Sequence, residues 1–323
     1  MLITRRESNT GNLLPSAHNL IDSIPEDLLL HSAHEIRHPA SAYSTSLRHI
    51  ALQWIKFLDQ LDRLRAEYLS EGKTTGAAAT TVEYGQLLHR LNEHQDACYT
   101  VLRSVCPLDR AKPNRVDANY LDKAKLPGWK QFRDATKAYR EDHVGLIVNN
   151  LKHRQGELSF VSFQSAVEFR PGYFLRDVIQ NDVIGPSRKL HSGGNTAFSF
   201  ARDQLLHLWW LYRIGDLLSN TLSTVVSQLF GRTLDIKSNS PGGLPWNDLL
   251  SRLAALKPEY YPDELKKPQP LAVLSLKPSI FSIEFPSKAR GIPLNPQGLR
   301  VSSDLIIDGN YPTNKMPYFG HMP

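Results

Sequence analysis

The chain has 323 residues and 36.5 kDa, 41% hydrophobic and 22% charged, which is the make-up of a globular protein and excludes a disordered or fibrous one. No apolar run has the length of a membrane span, because the most apolar stretch, 204–230, is interrupted by His207, Arg213 and Asp216. Cys98 and Cys106 are too few for a disulfide framework or zinc knuckle, and MLITRRESNTGNLLPS lacks a signal peptide's apolar core, so a cytoplasmic protein is expected.

Residues 1–25 read as an irregular lead-in. From Glu26 to about Tyr68 the pattern is helical with a break near Pro39, and Leu47, Ile50, Ala51, Trp54, Phe57, Leu58, Leu61 and Leu64 share one face. A small-residue loop, 70–80, leads to a helix from about Val82 to Val105, stopped by Pro107. After a basic, proline-punctuated connector, the spacing of Phe132, Ala135, Tyr139, Leu146 and Leu151 predicts one long helix over 128–155. Pro127 and Gly128 open it, and Lys152, Arg154 and Gly156 close it.

Beyond Gly156, LSFVSFQSAVEF shows partial alternation and predicts a strand or short hairpin, followed by a turn at 170–172 and loop to Asn195. A second long, largely apolar helix is expected over 198–230. Thirteen of the 21 prolines then fall between Pro241 and Pro323, around one short helix (WNDLLSRLAAL) and two strand-like runs, LAVLSLKPSIFSIEF and LRVSSDLIIDG. The expected fold is mainly α: a multi-helix bundle over 26–230, with a small β-containing, proline-rich C-terminal appendage over 231–323.

The net charge of +6 is unevenly spread, since the span from Arg110 to Arg154 holds 11 Lys and Arg against 5 Asp and Glu. Such a belt reads either as a solvated basic surface or as a phosphate-facing one, in which Arg133, Lys137, Arg140, Lys152 and Arg154 would meet nucleic acid. On the expected 128–155 helix, Asp142, Asn149 and His153 share one side. They read as a structural polar network, or as a site where His153 moves a proton while Asn149 or Asp142 orients its ring.

Two resemblances extend this reading. Arg202-Asp203-Gln204-Leu205-Leu206-His207, with NNLKHR at the end of the central stretch, resembles the catalytic pattern of HEPN-type helical domains over about 80–210. The resemblance implies metal-independent RNA cleavage, with His207 as general acid or base, Arg202 stabilising the phosphate and Asp203 holding the imidazole. The alternative is that Arg202 and Asp203 are surface residues and His207 a packed core histidine. Residues 28–39, LLLHSAHEIRHP, resemble the phosphoacceptor box of sensor histidine kinases, which would make His34 the phosphorylated residue. No nucleotide-binding loop accompanies it, so a phosphotransfer remnant is implied and a kinase is not. His31, His34, Glu35 and His38 also have helical metal-ligand spacing, against which a capped helix end is the simpler account. Gly193-Gly194 is too sparse for a phosphate loop, and no cofactor or metal is expected.

The leading expectation is a cytoplasmic helical protein that binds RNA and cleaves it through His153 and His207. The competing class is a non-enzymatic protein-interaction module, and phosphotransfer through His34 stands third.

Overall fold

Pro39 decides where the first long helix begins. A computed structural model describes residues 1–108, 116–153, 156–165, 168–180, 183–238, 243–289, 300–303 and 313–318. At its start a short strand, β1 (Leu2–Arg6), is followed by a single turn, α1 (Glu7–Thr10), and a buried helix, α2 (Ala17–Asp22). The expected irregular lead-in is therefore structured, with Ile3, Leu13, Leu14, Ala17, Leu20 and Ile21 in the main core. Residues 26–28 form one 3₁₀ turn, and no helix crosses the His31–His38 box, where Glu35 has φ 55°.

Helix α3 (Pro39–Glu71) starts with proline at its first position and the His38 side chain accepting from Ala40 N, and it ends at Gly72 with φ 67°. Its 33 residues make a rod about 50 Å long, against which α4 (Ala77–Ser104) packs after a short turn. Helix α5 (Asp117–Ala124) then leads into α6 (Trp129–Asp142).

The long helix expected over 128–155 is broken. At His143 the backbone leaves helical geometry (φ −132°, ψ −97°), and α7 (Val144–His153) begins immediately afterwards. Gly145 makes so tight a junction feasible, because a Cβ there would lie 1.9 Å from Arg140 O. Buried positions register the slip: Phe132, Thr136 and Tyr139 keep helical steps, and the next buried residue is Val144, five residues on.

Next come β2 (Glu157–Gln164), β3 (Phe169–Gln180), β4 (Val183–Pro186) and β5 (Phe198–Ser199). With β8 (Arg300–Ser302) and β9 (Thr313–Asn314) they form a sheet of order β8-β2-β3-β4-β9, with β5 pairing with β3 beside β4. All its pairs are antiparallel except β4 with β9. One face, carrying Phe160, Tyr173 and Leu175, joins the main core; the other, carrying Val161, Phe163 and Phe174, packs with Ala197 and Tyr261. Helix α8 (Phe200–Phe230) runs through the centre with 19 buried residues, among them Asp203, Gln204 and His207. It is capped by Ser199, whose side chain accepts from Arg202 N, and it ends at Gly231. After α9 (Trp246–Ala254), β6 (Leu271–Leu276) and β7 (Ser279–Glu284) form a hairpin whose second strand pairs with β1, giving the order β1-β7-β6.

The expected fold class is thereby corrected. The described chain is 54% helical and 16% strand with two sheets, so it is an α and β mixture and not a helical bundle with a small β appendage. The reason lies in burial. Strand β2 is buried at six consecutive positions, because both of its faces are covered, and such a strand loses the alternation that would have revealed the sheet. The lead-in and the C-terminal hairpin share one sheet, with Ile3, Ile283 and Ala272 in register.

Candidate metal centre

The helix break delivers His143 to α8. His143 Nε2 lies 2.9 Å from Oδ1 of Asp203, a carboxylate 1% exposed. One turn later on α8, His207 Nε2 lies 3.2 Å from Asp203 Oδ2, with the imidazole 0% exposed. The ligand atoms of His143, Asp203 and His207 all lie within 4.8 Å of one another, two imidazoles and one carboxylate facing a common point.

Three tyrosines surround the cluster. Tyr84 from α4 and Tyr173 from β3 each donate a hydroxyl hydrogen bond to Asp203 Oδ2, at 2.7 and 2.5 Å. Tyr173 reaches it because β5 closes on β3 at Gly172, where a Cβ would stand 2.1 Å from Phe198 O. Tyr139 Oη is 2.9 Å from His207 Nδ1 and stacks on Trp210. Phe198 packs on His143 at 5.3 Å between ring centroids and on His191 at 4.8 Å.

The electrostatics follow from burial and charge together. Burial alone would raise the Asp203 carboxyl, but the charges of His207 and His143, together with the hydrogen bond from His143, hold it well below the usual carboxylate range. His207 is pushed down by its own burial, against the pull of Asp203. The three tyrosines are driven well above their ordinary value of 10.0, by burial first and then by Asp203. At neutral pH the centre therefore combines an ionised carboxylate, a neutral His207 and three neutral phenols.

One atom is unaccounted for. Among the described residues His207 Nε2 has no hydrogen-bond partner: Asp203 Oδ2 is close enough for electrostatic attraction but out of line for a bond, and it already accepts from Tyr84 and Tyr173.

The residues expected from sequence are dispersed. His153 and Asn149 are exposed on α7, as is Asp142 at the end of α6, while His207 is buried; these residues form no shared site. The break at His143 is the cause, since it puts Asp142 and Asn149 on different helices. Asn150 is the buried neighbour, donating to Leu146 O. Arg202 is also buried, but it reaches away from His207 to donate to Pro268 O at 2.9 Å. Of the expected catalytic set only Asp203 and His207 come together, four residues apart on one helical face.

Three of the five basic residues expected to meet nucleic acid are paired. Arg133 bonds Asp122 at 2.6 Å, Arg140 bonds Glu141 at 2.5 Å and Tyr99, and Lys137 faces Glu141 at 3.8 Å. Lys152 is exposed, and Arg154 lies outside the described residues. His34 is 6% exposed, off any helix, with Nε2 2.7 Å from Cys106 O and its ring edge-on to Tyr120.

Sequence reading missed His143, Tyr84, Tyr139 and Tyr173 as members of the site. Tyr139 passed as one more residue of an apolar stripe. The five-residue step from Tyr139 to Val144, with Gly145 beside it, was the signal that could have exposed His143. Among known proteins, no family profile matches the chain, and no curated protein or solved structure matches it.

Proposed function

We propose that the chain is a metal-dependent enzyme whose centre is a single divalent first-row metal held by His143, Asp203 and His207. The observation that carries this reading is His207 Nε2, fully buried and without a partner among the described residues. With Tyr139 at Nδ1, the ring directs Nε2 at a carboxylate oxygen whose lone pairs are already taken. A cation held by the three residues would take the lone pair of His207 Nε2, with Nδ1–H donating to Tyr139 Oη, and would balance the buried charge. The protonation states of Asp203 and His207 fit, because metal ligation needs an ionised carboxylate and a neutral imidazole. Tyr139 and the two Asp203-bound tyrosines are the outer partners that fix ligand orientation.

A donor set of two imidazoles and one carboxylate suits a divalent ion such as Fe(II) or Mn(II). Three protein ligands would leave room for an exogenous ligand, where the metal would supply a Lewis acid or a one-electron partner. His143, with its side chain 15% exposed, is the edge of the centre nearest solvent.

A metal-free alternative, with Asp203 orienting His143 as a general base, uses the 2.9 Å contact but leaves His207 Nε2 unexplained. The RNA reading has less support, because Arg133, Lys137 and Arg140 are engaged with carboxylates. Anaerobic loading with Fe(II) or Mn(II), desalting and elemental mass spectrometry tests the proposal. Wild type should retain a single ion per chain, and His143→Ala should lose it with an unchanged circular dichroism spectrum. No retained metal, or equal retention by the variant, would sink the reading.

A further inference from the structure

Among the described residues, His191 is bonded on one nitrogen only. The backbone N–H of Leu175 donates to its Nε2 at 2.9 Å. A peptide N–H can only donate, so Nε2 carries the lone pair and the proton of the neutral ring sits on Nδ1. Burial holds the ring down to about 3, so it stays neutral at physiological pH. Yet Nδ1 has no partner among the described residues, and the residue is 0% exposed. A buried N–H without an acceptor is rare and costly. A serine or glutamine could cap Leu175 equally well; what imidazole adds here is a rigid donor.

Its neighbourhood indicates what the donor serves. His191 shares the Phe198 ring with His143, and the Asp203 charge acts on it. It lies beside β3 two residues from Tyr173, whose hydroxyl binds Asp203.

We propose that His191 binds the exogenous ligand of the centre, its Nδ1–H donating to a small anionic acceptor atom, an oxygen or its azide equivalent, coordinated by the metal. The inference rests on the metal reading above. A neutral donor suits this task, since it stabilises negative charge on the bound atom without repelling the metal. The ligand class is thus a small oxygen-donor anion, such as hydroxide or a carboxylate terminus.

The experiment titrates Mn(II)-loaded protein with azide, following the affinity calorimetrically, in wild type, His191→Leu and His191→Gln. Metal content is measured in each. The expected result is full metal content in all three, azide affinity about tenfold weaker in His191→Leu, and recovery in His191→Gln, which restores an acceptor and a donor. Equal azide affinity in wild type and His191→Leu, with metal bound in both, overturns this inference and leaves the metal centre standing. Absence of metal in wild type overturns both. Should His191→Leu not fold, the nitrogen-15 histidine spectrum of wild type loaded with diamagnetic Zn(II) decides: azide should shift the Nδ1–H signal, and an unmoved signal refutes the proposal.

Discussion

Deleting the Asp203 carboxylate tests the centre as a folding element, apart from any metal. In metal-free protein, Asp203→Ala leaves the hydroxyls of Tyr84 and Tyr173 and the His143 imidazole facing a gap. Each orphaned buried donor costs about 1–3 kcal/mol, partly offset because no charge remains to be desolvated. The net expectation is a loss of about 3–5 kcal/mol, a large share of a domain's usual total of about 5–15. Asp203→Asn keeps an acceptor for His143, and its amide protons meet phenol oxygens that can turn and accept. That variant should lose only about 1–2 kcal/mol. Urea unfolding with chelator present, followed by circular dichroism, gives both values. The pH dependence has a definite sign. The folded-state carboxyl titrates below its ordinary 3.8, so its contribution is whole above pH 3.8 and is lost as pH falls towards the folded value. The gap between wild type and Asp203→Asn should therefore be flat near neutrality and narrow only in acid. A loss below about 1 kcal/mol for Asp203→Ala would refute the account of a satisfied buried network.

Gly145→Ala should cost about 3 kcal/mol or more, because its Cβ meets Arg140 O at 1.9 Å and backbone must move; an unchanged thermal midpoint would count against the tight junction. Tyr139→Phe removes the partner of His207 Nδ1, so metal affinity should drop about 10–100-fold by calorimetry while stability falls by about 1 kcal/mol, and equal affinity would deny Tyr139 that role. His94 and His191 are both held down to about 3, chiefly by burial, from an ordinary 6.5. Below 6.5 the unfolded chain takes up protons that the folded chain refuses, so this stability is whole above pH 6.5 and declines towards pH 3. His94→Gln should flatten the acid limb by about 1.4 kcal/mol per pH unit in urea titrations, and an identical slope would contradict a buried neutral imidazole.

Local pattern was enough for whatever buries one stripe of a helix. The faces of α3 and α8 are written in their three- and four-residue steps, Pro39 and Gly231 mark ends in place, and both strands of the β6–β7 hairpin fall within one strand-like run, 271–285. The Asp203–His207 pair was legible too, because a spacing of four on a helix fixes two side chains relative to each other before any tertiary contact forms. Tertiary structure decided the rest. Strands β2 and β3 are covered on both faces, so their burial erases the period of two, and β1 finds its partner only at β7, far along the chain. His143 joins the centre because a glycine two residues on lets the helix break and turn the imidazole onto another helix. Tyr84, Tyr139 and Tyr173 come from three elements whose own patterns mark them as ordinary core aromatics. What made them polar partners was the carboxylate that α8 buried among them, a fact of three-dimensional proximity with no periodicity of its own.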